Sequence, residues 1–186
     1  MIGIDEAGRG AWAGPLVVAG CSFAENPGFI RGLNDSKKLT RKKREALESQ
    51  IKSSTYFHVV VVPSARIDEV GLTQCLREAM IEIAVKLPHN QEIIIDGPYN
   101  FLKNTEFDVR VRCEVRADGS YVPVMAASIL AKVERDRIMR GYVSEYPDYG
   151  FESHVGYGTI KHIQALKSFG ATSVHRQSYR PIKELA

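Results

Sequence analysis

Four acidic residues stand where short apolar segments would deliver them. Met1-Ile2-Gly3-Ile4 runs directly into Asp5-Glu6-Ala7-Gly8-Arg9-Gly10, and Glu92-Ile93-Ile94-Ile95 ends in Asp96-Gly97-Pro98. Both segments read as strands that end in carboxylates. Ligands of open α/β sheets collect at the carboxyl ends of strands. If the two strands are neighbours, Asp5 faces Asp96, and Glu6 and Asp118 could complete a four-acid cluster. Such a set, with no histidine or cysteine, suits hard cations such as Mg²⁺ or Mn²⁺. Without a cation the four charges would repel one another. Two such ions about 3.5–4 Å apart can activate a water and stabilise the leaving oxygen in phosphodiester cleavage.

Each acid also has an ordinary reading. Asp96-Gly97-Pro98 and Asp118-Gly119 are turn signals, Glu114 competes with Asp118, and Asp35 could cap the segment that follows it. Neighbouring side chains of a strand point to opposite faces. Asp5 and Glu6 therefore converge only if the strand ends or kinks between them. Gly8 and Gly10 permit such a turn and leave backbone groups bare for close approach by a ligand.

The elements that must position these groups follow in order. Residues 16–24 read as a second strand, antiparallel to the first, and 25–38 as a loop. Thr40 is an N-cap for a helix over 41–53, whose first turn is basic and so opposes the helix dipole. Lys37, Lys38, Arg41, Lys42, Lys43 and Arg44 form a basic run that is either a solvated face or a seat for an anion. Tyr56 to Val62 is a third strand. Ser64 caps a long helix whose apolar face is Leu72, Leu76, Ala79, Met80, Ile83, Ala84 and Leu87. Residues 92–96 read as a central parallel strand, and a fifth strand falls within 107–116. A helix opens at Ala126-Ala127-Ser128 and runs to about Tyr146. Beyond Pro147 one further helix, near 159–169, precedes an irregular tail. The pattern is α/β: a mixed five-stranded sheet flanked by helices, with residues 1–146 as the sheet domain and 147–186 as a small helical extension.

The 186 residues are 44% hydrophobic and 25% charged, with a formal net charge of +3, ordinary for a globular domain with a real core. Cys21, Cys75 and Cys113 are few and widely spaced, which excludes a zinc ribbon and a disulfide framework and fits a reducing compartment. The histidines show no ligand spacing on a helix. No signal peptide and no membrane-length apolar run is read, so a cytoplasmic protein without a membrane role is expected.

Six segments in order resemble the ribonuclease HII family, the bacterial type 2 ribonucleases H. They are Gly3-Ile4-Asp5-Glu6-Ala7-Gly8-Arg9-Gly10, Asn34-Asp35-Ser36-Lys37-Lys38-Leu39, Ile95-Asp96-Gly97, Ala126 through Val133, Gly156-Tyr157-Gly158-Thr159 and His175-Arg176-Gln177-Ser178. The likeness runs from Ile2 to about Pro181. It implies a ribonuclease H-like fold, a monomer, and Mg²⁺- or Mn²⁺-dependent endonucleolytic cleavage of RNA in RNA–DNA hybrids. It further implies cutting on the 5′ side of a single ribonucleotide embedded in duplex DNA. The family's four metal-holding acids fall on Asp5, Glu6, Asp96 and Asp118. Its substrate-binding residues fall on Gly8, Arg9, Gly10, Asn34, Ser36, Lys37, Lys38 and Tyr157. Backbone groups at Gly8 and Gly10 suit the 2′-hydroxyl that separates RNA from DNA. Arg9 can grip a phosphate and Tyr157 can stack on a sugar or base. The chain departs from the family pattern at Arg116-Ala117, Val155 and Tyr179, and at the bulky Trp12.

Other readings compete with this one. A junction resolvase or strand transferase of the same fold would lack the Gly-Arg-Gly element and Tyr157. An actin-like phosphotransferase needs a different phosphate loop and a longer chain. A hybrid-binding module with a dead site would not need all four acids.

Overall fold

The computed structural model describes residues 1–23, 32–34, 36–88 and 90–185. Five strands form one sheet: β1 (Ile2–Ala7), β2 (Leu16–Ser22), β3 (Tyr56–Val62), β4 (Ile93–Asp96) and β5 (Val111–Glu114). Their order is β3-β2-β1-β4-β5. β1 pairs antiparallel with β2, with Asp5 opposite Ala19 and Glu6 opposite Val18. β1 and β4 run parallel, as do β4 and β5. The mixed sheet expected from the sequence is present, and the two acid-ended strands are neighbours. Ile93, Ile94 and Ile95 are fully buried, as the uninterrupted apolar run of a central parallel strand requires.

The helices are α1 (Arg41–Ser54), α2 (Ser64–Val70), α3 (Leu72–Lys86), α4 (Val122–Gly141), α5 (Phe151–His154), α6 (Ile160–Phe169) and α7 (Arg180–Leu185). The Thr40 side chain accepts a hydrogen bond from Lys43 N–H, capping α1 as expected. The long helix expected after Ser64 is two helices. Gly71, at φ 83°, turns the chain between them, and Pro63 holds the cap position while the Ser64 hydroxyl donates to the Ser173 carbonyl. The helix expected from Ala126 starts earlier, at Val122, because Pro123 in its first turn needs no N–H partner there. The helix expected near 159–169 is α6; the short α5 precedes it, and the tail beyond it contains α7. Most of the loop expected over 25–38 lies outside the described residues, as do Ala24 and Asp35.

Two compact units emerge from backbone packing. The first joins Met1–Ala7, Val17–Val60 and Leu76–Val133; the second joins Gly8–Leu16, Val61–Cys75 and Glu134–Ala186. In the first, Val17, Ala19 and Cys21 of β2 pack with Leu47 and Ile51 of α1 and with Ala127, Leu130 and Ala131 of α4. On the other face, Ile83 of α3 and Leu87 press against Gly20 so closely that a Cβ there would lie 2.2 Å from Ile83. In the second unit, Phe151, Leu166, Ile182, Met139 and Tyr149 form the core. Among the described residues no helix is long and apolar enough to cross a membrane.

Candidate active site

Within the first unit, β1 and β4 bring Asp5 and Asp96 together. Asp118 joins them from a 3-10 turn, Ala117–Gly119, that follows β5. One carboxylate oxygen of each lies within 4.8 Å of the others. Asp5 and Asp118 are buried and Asp96 is half-buried. The turn is fixed to β4 by a backbone hydrogen bond: Ala117 N–H donates to Asp96 Oδ1 at 2.8 Å. It is Arg116 that takes the left-handed backbone, at φ 64°. Glu114, the competing acid, is engaged elsewhere, accepting from Arg112 at 2.9 Å and from the Tyr121 hydroxyl at 2.8 Å.

Glu6 lies outside this group of three. β1 continues through Ala7, so the alternation of the strand is unbroken at Glu6. Asp5 shares its face with Ala19, in the packing cluster of α1 and α4, while Glu6 takes the opposite one. The two remain coupled: Glu6 N–H donates to Asp5 Oδ1 at 2.7 Å. Burial, then the charges of Glu6 and Asp96, push the Asp5 carboxyl well above the ordinary carboxylate range, against the Glu6 N–H and the Ser128 hydroxyl. Asp96 is raised too, chiefly by burial and, after the opposing Ala117 N–H, by the charge of Asp118. Carboxyl groups held this close resist joint ionisation. An oxygen-only donor set under that stress fits Mg²⁺ or Mn²⁺.

Ser128 on α4 links this cluster to the basic segment. Its hydroxyl lies 2.7 Å from the Ser36 hydroxyl, and it acts to lower the Asp5 carboxyl against the burial that raises it. Ser36 is therefore buried, in a 3-10 turn Ser36–Lys38, while Asn34, Lys37 and Lys38 are exposed. Lys37 Nζ stands 3.5 Å from Asp118 Oδ2. Part of the basic run is occupied internally. Arg44 donates to the carbonyls of Ser36 and Leu39, and Arg41 pairs with Glu45.

In the second unit, the Gly8-Arg9-Gly10 segment is held by two buried arginines. Gly8 sits at φ 90°, and a Cβ there would lie 2.0 Å from Arg135 Nε, so only glycine fits. Arg135 donates to the carbonyls of Pro15 and Ala13. Arg176 donates to Gly14 O and Arg9 O, and the Tyr179 hydroxyl also donates to Arg9 O at 3.1 Å. Tyr157 is 38% exposed, with the Arg135 guanidinium 5.2 Å from its ring centre. Trp12 covers Gly158, where a Cβ would fall 2.2 Å from the indole.

Sequence reasoning gave no role to Ser128, Arg135, Arg176 or Tyr179 and did not foresee the cluster of His154, His162 and His175. Ser128 carries a weak signal, since a lone hydroxyl among alanines has no packing purpose of its own. Buried arginines carry none, because the charge predicts a surface position.

Comparisons with known proteins agree with this geometry. The sequence model of the Ribonuclease HII family matches residues 2–182. The chain is 48% identical over 179 residues to the Ribonuclease HII of Campylobacter concisus (strain 13826), covering 96% of this chain and 92% of that one. It is 45% identical over 182 residues to the Ribonuclease HII of Aliarcobacter butzleri (strain RM4018), covering 97% and 90%. The solved complex of PCNA and RNase HII from Archaeoglobus fulgidus contains a chain that superposes with a TM-score of 0.84 at 32% identity, covering 99% of this chain and 95% of that one. The chain belongs to the ribonuclease HII family, metal-dependent endoribonucleases of the ribonuclease H type that act on RNA–DNA hybrids.

Proposed function

We propose that this protein cuts the RNA strand of hybrids and also cuts 5′ of a single ribonucleotide embedded in duplex DNA. The observation that carries the reading is the approach of Asp5, Asp96 and Asp118 within 4.8 Å, with Asp5 buried on β1, the middle strand of the sheet. These three would hold Mg²⁺ or Mn²⁺, with the charge of Glu6 beside them. A pair of such ions supplies an activated water and a counter-charge for the leaving oxygen.

The chain's own residues do the rest. Asn34, Lys37 and Lys38 hold backbone phosphates, contacts that position a duplex without reading its sequence. Ser36 steadies their loop from beneath through Ser128. Lys37, beside Asp118, offsets part of the acids' negative charge. With the Arg9 carbonyl fixed by Arg176 and Tyr179, the backbone of Gly8-Arg9-Gly10 is rigid enough to test for a 2′-hydroxyl. Arg9 grips a phosphate, and Tyr157 offers its exposed ring to the sugar next to the ribonucleotide.

The test is cleavage of a DNA duplex carrying one embedded ribonucleotide, beside a long RNA–DNA hybrid, in Mg²⁺ and in Mn²⁺. Cutting 5′ of the ribonucleotide is expected. Cutting of the long hybrid alone would refute the junction reading, and cutting of neither would refute the acids' role.

A further inference from the structure

Three buried histidines cluster in the second unit, and two of them, His175 and His162, are wired together in a chain that ends on Tyr157. The Thr172 N–H donates to His175 Nδ1 at 2.9 Å, so that nitrogen carries a lone pair. His175 Nε2 lies 3.0 Å from His162 Nε2, and His162 Nδ1 lies 3.0 Å from the Tyr157 carbonyl oxygen. A carbonyl only accepts, so His162 holds its proton on Nδ1 and presents a bare Nε2. His175 must then donate from Nε2. The direction of every bond is fixed: Thr172 N–H to His175, His175 to His162, His162 to Tyr157. His154 is settled by the same logic, accepting from Gly156 N–H on Nδ1 and donating from Nε2 to the Tyr149 carbonyl. Each of the three rings uses both nitrogens, so none has a lone pair left for a metal or a substrate.

We propose that His162, set in its tautomer by His175, is the positioning residue for Tyr157. It fixes the peptide from which the exposed ring is presented to the nucleic acid. This rests on the reading of Tyr157 as a substrate contact.

The rest of the turn supports the assignment. Val155 and Gly156 take positive φ, 43° and 83°, a costly geometry for a branched residue. It persists because its neighbours are pinned. Trp12 N–H donates to Gly156 O at 2.8 Å, Tyr157 N–H donates to His154 O at 3.0 Å, and the indole lies over Gly158. The Trp12 ring is also 5.9 Å from that of His162. Backbone and flanks are held, and the Tyr157 ring remains presented. His162 and His175 are fully buried, and burial lowers both imidazoles to about 4, which keeps them neutral and the bond directions intact at neutral pH.

The test pairs two substitutions of one side chain. In His162→Asn the amide N–H stands near Nδ1 and keeps the bond to Tyr157; in His162→Gln the amide reaches the Nε2 position and the bond is lost. On the embedded-ribonucleotide duplex, kcat/KM should fall roughly 3–10-fold in His162→Gln, the worth of one hydrogen bond, and recover in His162→Asn. In a Tyr157→Ala background, His162→Gln should add little. A parent-like His162→Gln, a His162→Asn as poor as His162→Gln, or a full additive loss beside Tyr157→Ala would overturn the proposal. If Tyr157→Ala cuts like the parent, it is the substrate-contact reading that fails. Nitrogen-15 spectra of the unsubstituted protein decide the matter even if a variant does not fold. They should show His162 protonated on Nδ1 and His175 on Nε2, and the reverse pattern would overturn the wiring.

Discussion

Neutralising Asp5 should abolish cleavage and yet stabilise the metal-free protein. Two full charges 4.8 Å apart repel by about 3 kcal/mol at an effective dielectric constant near 20. The charges of Glu6 and Asp96 both raise Asp5, and of the two Asp96 lies within that distance. Burial and the neighbouring charges push the Asp5 carboxyl well upward, which offsets part of this repulsion. The net gain from Asp5→Asn is then about 1–3 kcal/mol. For a chain of this size that is a rise in Tm of roughly 2–10 °C. The assay is thermal unfolding of parent and variant, with chelator and with excess Mg²⁺ or Mn²⁺. A bound cation stabilises the fold by RT ln(1 + M/Kd), where M is the free cation concentration, so the parent, with the tighter site, should gain most from metal and the variant little. The order of stability should therefore narrow or invert when metal is added. A metal-free variant less stable than the parent, or an equal metal response in both, would refute the account of mutual repulsion at the cluster.

Two more outcomes follow from the second unit. His162 and His175 are lowered from 6.5 to about 4, so the unfolded chain takes up protons first; their contribution is complete above pH 6.5 and is lost as pH falls toward 4. At about pH 5 each would cost about 2 kcal/mol of stability. Because Asp5 and Asp96 are shifted upward and act in the opposite sense, the comparison is with His175→Gln, whose urea midpoint should fall less steeply on acidification than the parent's. Tyr179→Phe removes one of two donors to the Arg9 carbonyl. It should cost about 1 kcal/mol in urea unfolding and impair cutting at an embedded ribonucleotide more than cutting of a long hybrid, with equal impairment of both counting against a reading role for that backbone.

The sheet was legible because its two central strands are short apolar runs that end in an acid, and chain order confines such strands to the core. What the residues could not reveal is where β1 stops. It continues through Ala7, which keeps the strand alternation unbroken between Asp5 and Glu6, and no local signal marks that. The α3 face was legible from its 3.6-residue spacing, but the break at Gly71 was not, since a glycine within a periodic run is tolerated as often as it interrupts. The histidine wiring was invisible for another reason. His154, His162 and His175 sit on separate elements, and only tertiary packing brings their rings together. Likewise, Arg44 reads as part of a basic face, yet it spends its guanidinium on loop carbonyls.

The closeness of α4 to β1 has a consequence for geometry at the acids. A Cβ on Gly3 would lie 2.2 Å from the Val124 nitrogen, so helix and strand touch backbone to backbone there. Two residues farther along the strand is Asp5, about 6.6 Å on. Four residues farther along the helix is Ser128, about 6 Å on. The two steps are commensurate, and a side chain as short as serine can therefore span to the carboxylate. Gly3 acts as the zero mark of a ruler shared by both elements. A methyl group there would push helix and strand apart at the mark itself and shift Ser128 relative to Asp5.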